Sequence, residues 1–350
     1  MCYIAALDSR PDIILKVAIF NDTRPTNHYG CMLVMRNLLN ELKLVGAEVI
    51  WTFPVSTDWR KHKRKLLNMP AVDAIVVNGE GTIHRAEERK FAMALASLAD
   101  FAKRELNTPC YLINATLHRN SARTYQLISS YRAIYVRDKR SLHELQSAGL
   151  AGQYVPDMTF AGNASLSKVK ASGVCVIDSA IKEDSAFLAE FAESKKLTFR
   201  SMIVARPGNA KFLRSPRPYI KNIIRWMCGE YRIPTDPDFY IEFLKQHRLV
   251  ITGRYHTVTM CVKNRIPFVA LESNTPKVDS LLNDIFGGSD RSTPIEDIVK
   301  IDLEEVQGFS EVELSQIDIF CEDARFAIRN MVEHIAEDVV SDRNHEYIYE

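Results

Sequence analysis

The sequence predicts an α/β protein of two doubly wound lobes, each a mainly parallel sheet with helices on both faces. Three observations predict it. The chain has 350 residues, more than the roughly 250–300 at which a single core stops growing. Short runs rich in β-branched residues alternate with stretches of helical apolar spacing. That alternation is interrupted by one small, polar stretch, residues 162–172 (GNASLSKVKAS), with the composition of a domain boundary.

Taken in order, residues 12–20 (DIILKVAIF) read as a buried strand that opens into a polar loop at Asn21. Residues 32–45 then carry helical spacing and stop at Gly46. Further strands are expected at 48–53, 74–77, 111–114 and 133–136, with helices at 86–105 and 141–147. After the boundary the strands are 173–178, 199–205, 249–252 and 267–271, separated by helices near 185–194, 218–231 and 238–246. A long helix, 311–337, precedes a polar, acidic tail. The divisions are therefore 1–165, 166–310 and 311–350, the last expected to cross back to the first lobe.

Composition limits what the lobes can do. Lys and Arg number 45 against 44 Asp and Glu, a net charge of +1, so nothing pulls the whole chain toward nucleic acid or a bilayer and any anion binding is local. Seven cysteines show no CxxC spacing, which favours reduced thiols and argues against a structural zinc site; no metal is expected. Asp8, Arg10 and Asp12 interrupt any apolar leader, and no run reaches the roughly 18–20 apolar residues of a membrane span. A cytoplasmic protein is expected.

Open α/β sheets bind ligands beyond the carboxyl ends of their strands, and four such ends carry chemistry. Asn27-His28-Tyr29-Gly30 precedes the first helix without the GxGxxG spacing of a dinucleotide site. These residues either meet a polar substrate or only cap the helix. Asn78-Gly79-Glu80-Gly81-Thr82 comes after a strand; Glu80 there is a candidate proton acceptor. Val136-Arg137-Asp138 places Arg137 as an anion clamp, or as a surface ion pair beside a helix cap. Gly253-Arg254-Tyr255-His256, with Lys277 downstream, is the strongest of the four. Arg254 offers a planar fork for phosphate or carboxylate, His256 titrates near neutrality unless it is a satisfied core residue, and Lys277 adds a point charge.

Together NHYG, NGEGT, VRDKRS with the later Pro156-Asp157, and the run from 251 to 282 (ITGRYHTVTMCVKNRIPFVALESNTPKVDSLL) resemble the polysaccharide pyruvyl transferase family over most of the chain. The resemblance implies a glycosyltransferase-B-like fold, two Rossmann-like lobes facing across a cleft. It also implies transfer of a ketal-linked pyruvate from phosphoenolpyruvate, a co-substrate rather than a cofactor, to a glycan or lipid-linked glycan. Arg254, Lys277 and Arg137 then bind the donor, and His256 and Glu80 are the catalytic candidates. His256 is the acid or a phosphate ligand, and Glu80 is the hydroxyl base. Asn27, His28, Tyr29 and Asn78 are expected on the acceptor side. Where many members carry a run of glycines this chain has Glu80, so a glycosyltransferase using a nucleotide-activated sugar stays open as the alternative. Arg60-Lys61-His62-Lys63-Arg64-Lys65 is expected either to touch the inner face of the membrane or to be a solvated helix face.

Overall fold

The computed structural model describes residues 14–164, 170–207, 216–272, 276–288 and 290–349. Its first half runs β1 (Leu15–Asp22), α1 (Tyr29–Leu44), β2 (Ala47–Pro54), α2 (Lys63–Leu67), β3 (Ala74–Glu80), α3 (Lys90–Ala96), α4 (Leu98–Glu105), β4 (Cys110–Ala115), α5 (Ala122–Ile128), β5 (Ala133–Val136), α6 (Lys139–Ser147) and β6 (Gln153–Tyr154). The second runs β7 (Val174–Ser179), α7 (Lys182–Ser194), β8 (Thr198–Arg200), α8 (Pro216–Met227), α9 (Pro237–Lys245), β9 (Leu249–Gly253), α10 (Tyr255–Lys263), β10 (Phe268–Leu271), α11 (Lys277–Phe286), β11 (Ser292–Thr293) and α12 (Glu311–Tyr349).

The strands form a six-stranded sheet, β2-β1-β3-β4-β5-β6, and a five-stranded sheet, β11-β10-β9-β7-β8. Every ladder in both is parallel. Parallel strands are buried on both faces and read as continuous apolar runs; all seven residues of β3 and all six of β7 are buried. The winding reverses between β1 and β3 in one sheet and between β7 and β9 in the other. A crevice opens at such a reversal, beyond the carboxyl ends.

Three expectations need correction. The helix expected over 86–105 is broken at Ser97, whose hydroxyl donates to the carbonyls of Met93 and Ala94 and so competes with the helical ladder. The strand expected over 199–205 ends at Arg200, because Asp178 captures the next two residues: its carboxylate accepts from Ser201 Oγ and the Met202 N–H. The final helix continues to Tyr349 instead of giving way to a tail at 337. Part of the boundary stretch, 165–169, lies outside the described residues.

One apolar core is shared by both sheets. It joins Leu15 and Val17 of β1 and the inner face of α1 to Val250, Val258 and Cys261 of the second half. Along α12, Ile317, Cys321, Ala324, Ile328, Met331, Ile335 and Val339 line one helical stripe in that core. The helix meets the second half through Arg265–Asp318 and Arg291–Glu313. It meets the first through Arg329–Glu41, Arg132–Asp338 and the bond from Tyr111 Oη to Asp338.

Candidate active site

Both strand-order reversals open into the same cleft. At the β7/β9 reversal, Asp178 near the end of β7 accepts a two-pronged bond from Arg254, Nε at 2.9 Å and Nη2 at 2.7 Å. Asp178 also holds Ser201 and Met202, so one carboxylate sets both the guanidinium plane and the path of the chain beyond β8. Arg254 is the residue before α10, and Tyr255 and His256 form that helix's first turn. Unpaired backbone N–H groups and the positive end of the helix dipole collect there.

At the β1/β3 reversal, Glu80 closes β3 with φ 41°. One oxygen accepts from Thr23 Oγ1 at 2.7 Å and Asn78 Nδ2 at 3.0 Å, the other from Cys31 Sγ at 3.3 Å. Asn21 and Asn114, at the ends of the flanking strands, also have positive φ. Both tie to Asn78: Asn21 Nδ2 donates to its carbonyl and Asn114 Nδ2 to its side-chain oxygen. Left-handed backbone suits asparagine better than most residues, so three neighbouring strands curl over together and form a polar floor.

Arg137 comes directly after β5 and is almost wholly buried, donating through Nη1 to Asp157 and through Nε to Thr116, each at 2.8 Å. Its guanidinium carbon lies 4.6 Å from the centre of the Tyr255 ring, which fixes the plane by cation–π stacking. Among the described residues Nη2 has no hydrogen-bond acceptor, and it points toward Gly81. Asp157 is fully buried; burial alone would raise its pKa, but His256 and Arg137 outweigh that and hold it well below the ordinary carboxylate value. The His256 ring is buried, with Nε2 3.7 Å from Asp157, too far for a hydrogen bond, and that nitrogen has no partner among the described residues.

Lys277, at the start of α11, is half-buried and has no hydrogen-bond or ion-pair partner among the described residues. Burial first, and then repulsion from Arg137 and Arg254, bring its pKa down to about 8. A partly buried cation without an ion-pair partner among the described residues, acted on by two arginines, makes a place suited to an anion.

From the opposite wall, the His28 ring meets His256 edge-on with centroids 5.5 Å apart. His28 caps α1 by accepting the Cys31 N–H at its Nδ1. Burial, then His256, Arg254 and Lys277, pushes its pKa well down, so it is neutral at physiological pH. Gly30 makes this approach possible, since a Cβ there would lie 2.2 Å from that of His256. His28, Cys31 and His256 have ligand atoms within 4.8 Å of one another, a spacing that suits a soft cation. The two arginines and Lys277 around them make the potential favour an anion.

Arg137, Arg254, His256 and Lys277 thus come together, with His28 opposite and Glu80 set in the floor. Other expected residues serve elsewhere. Tyr29 is buried, stacks on Tyr240 with centroids 4.6 Å apart and donates to the Pro234 carbonyl, which makes it a strut between the halves. Asn78 is fully buried in the floor, where its side chain serves Glu80 and Asn114. Asn27 acts through its backbone, its carbonyl accepting the Val204 N–H. Arg60 is held by Asp58, while Lys63 lies over Phe101 and Lys65 over Trp51 and Phe53. Asp157 and Asp178 have no role assigned from sequence alone, although the strand-end rule points to Asp178 on β7. His84, at the end of the Asn78 segment and given no role from sequence, meets the Gly81 carbonyl at Nδ1; burial, then Arg89, lowers its pKa to about 4.

A model of the family described as Polysaccharide pyruvyl transferase matches residues 28–275. The chain belongs to that family. The matched span begins just after β1, takes in the β7/β9 reversal and stops just short of Lys277. No curated protein matches the chain in sequence at a significant level. Among solved structures it is similar to MnaA of S. aureus with UDP, at 12% identity, covering 93% of this chain and 97% of that one with a TM-score of 0.50. The UDP-GlcNAc 2-epimerase of Neisseria meningitidis bound to UDP-GlcNAc gives 13%, 92%, 100% and 0.47. The trehalose-phosphate synthase of Burkholderia vietnamiensis gives 10%, 94%, 100% and 0.48. At such identities the MnaA likeness concerns fold alone, and this pyruvyl transferase family member has the two-lobed, glycosyltransferase-B-like architecture. Among the described residues no helix is long and apolar enough to cross a membrane.

Proposed function

We propose that this chain transfers pyruvate from phosphoenolpyruvate to two hydroxyls of a sugar, forming a ketal on a cell-surface polysaccharide or its lipid-linked precursor on the cytoplasmic side. The observation that carries the reading is the unpaired Lys277 ammonium beside Arg137 and Arg254. Phosphoenolpyruvate brings a phosphate and a carboxylate, and clustered cations in a dry cleft bind such a pair through charge-assisted hydrogen bonds. Arg137 Nη2 and Lys277 Nζ are the donors on offer; Arg254, held by Asp178, adds its charge and the α10 N-terminus its N–H groups.

The reaction balances on these groups. A proton added to the enol methylene makes a methyl and leaves a cation at the adjacent carbon. A sugar hydroxyl attacks that carbon and loses its proton, phosphate leaves, and a second hydroxyl closes the ketal. Two hydroxyl protons are released, one equivalent replacing the methylene proton and the other leaving with phosphate. No electron changes hands. His256, whose Nε2 is left without a hydrogen-bond partner among the described residues, gives the first proton or escorts the phosphate. Glu80 is the carboxylate assigned to receive one, once a sugar hydroxyl replaces Thr23 or Cys31 as its donor.

The test is to incubate the enzyme with phosphoenolpyruvate and candidate glycans and look by mass spectrometry for added pyruvate with released phosphate. Phosphoenolpyruvate alone should raise the melting temperature; a rise only with nucleotide sugars would transfer the assignment to glycosyl transfer. His256→Ala should lower kcat by about 10²–10⁴-fold with a smaller change in KM, and undiminished turnover would remove His256 from the mechanism.

A further inference from the structure

We propose that α8 is an in-plane membrane-binding helix that docks the cleft mouth onto an anionic lipid surface. On this helix Ile220, Ile224 and Met227 fall at positions i, i+4 and i+7 and are 48%, 54% and 66% exposed; Tyr231, just beyond, is 49% exposed. An apolar stripe at helical spacing ordinarily faces a core, yet this one faces outward. The opposite side ties the helix to the protein: Asn222 donates to the Arg206 carbonyl, and Arg225 pairs with Glu230 and donates to the Ile203 carbonyl. The outward stripe is therefore held in place by polar bonds on its inner face.

Charge identifies what covers it. Residues 216–232 contain four Arg and Lys against one acid, Glu230, in a chain whose net charge is +1. Glu230 is already neutralised by Arg225. Exposed Arg217 and Lys221 flank the apolar stripe, and the Arg232 guanidinium sits 5.1 Å from the centre of the Tyr231 ring. Apolar residues along one edge, cations beside them and no free acid match the interface of an anionic bilayer. A second copy of this chain would bring the same positive charge against itself. The Arg60–Lys65 run lacks such a stripe, and its Arg60, Lys63 and Lys65 side chains are occupied by Asp58 and aromatic rings.

Position gives the surface its use. Ile203, which receives Arg225, bridges to His28 at the edge of the cleft. A bilayer under α8 therefore lies next to the opening, where a lipid-linked acceptor presents its sugar. That use rests on the proposed function; binding to lipid does not.

The experiment needs no substrate. The full chain is sedimented with phosphatidylcholine vesicles with and without phosphatidylglycerol, at low and high salt. Binding should require phosphatidylglycerol, weaken with salt, and fall at least about tenfold in Ile224→Glu/Met227→Glu, with an unchanged melting temperature showing that the variant is folded. Lys61→Glu/Arg64→Glu should bind as the parent does. An environment-sensitive dye on Cys228, the exposed cysteine at the end of α8, should shift to the blue on vesicles. The proposal is overturned by undiminished binding of the α8 variant, by loss in the 61/64 variant instead, by an unshifted dye on sedimented protein, or by a parent dimer that the α8 variant dissociates without any vesicle binding.

Discussion

At the scale of single residues, the cleft is a balance between cost and use. Lys277 folds with a pKa near 8 against an ordinary 10.5. The folded state thus holds its proton less tightly than the unfolded state, and the charged form costs stability below pH 8. That cost is relieved as pH rises from about 8 toward the unfolded value. Lys277→Met should therefore raise the melting temperature of the unliganded protein at pH 7 by a few degrees while removing donor binding. In the parent, affinity for phosphoenolpyruvate should fall above pH 8 as the ammonium is lost, and Lys277→Arg should flatten that fall; calorimetric titration across pH 6.5–9.5 reads both. Gly30 gives a second prediction. A methyl group there meets His256 at 2.2 Å, so Gly30→Ala must push α1 away from α10, costing about 1–3 kcal/mol of stability and a larger factor in kcat, measured by chemical denaturation and steady-state rates.

The site was legible to the extent that its residues announce themselves by type and place. Arg254, His256, Lys277 and Arg137 come after strands or open helices, and a cationic group at such an end has few structural reasons to be there. Tyr29 and Asn78 sit at equivalent ends and look the same in sequence. What separates them is the partner across the chain: Pro234 and Tyr240 for one, Asn114 for the other. Contacts of such separation leave no local trace.

At the scale of elements, alternation of apolar runs located nearly every central strand, because a buried parallel strand is written as an unbroken apolar run. Boundaries failed where a side chain displaced the backbone ladder. Ser97 cuts one helix into α3 and α4, and Asp178 pulls residues 201–202 out of β8. The length of α12 was understated because its final turns are polar, although Tyr111 and Arg132 hold the first of them through Asp338 and Asp342.

At the scale of the molecule, each sheet has an apolar cluster of its own, and a third and larger cluster joins the two. Separate domains usually rotate about a modest polar interface; here α1, α10 and α12 share one apolar cluster across the divide. Unfolding should be a single cooperative transition. Ile328→Ala, in the fully buried middle of α12, should cost about 2–5 kcal/mol and lower that one transition as a whole. Two calorimetric peaks, only one of them displaced, would show the lobes to be independent.

The hydrogen bonds by which the segment after β8 reaches the other lobe are main-chain bonds: Tyr29 N–H to the Met202 carbonyl and Val204 N–H to the Asn27 carbonyl. A seam sewn with peptide groups places little demand on the side chains beside it. Ile203 can therefore be exchanged for other residues while the lobes keep their register, whereas Asn27, with φ 53°, is restricted to residues that tolerate left-handed backbone; under the proposed reaction, position 203 at the rim of the cleft is the natural place to retune acceptor preference.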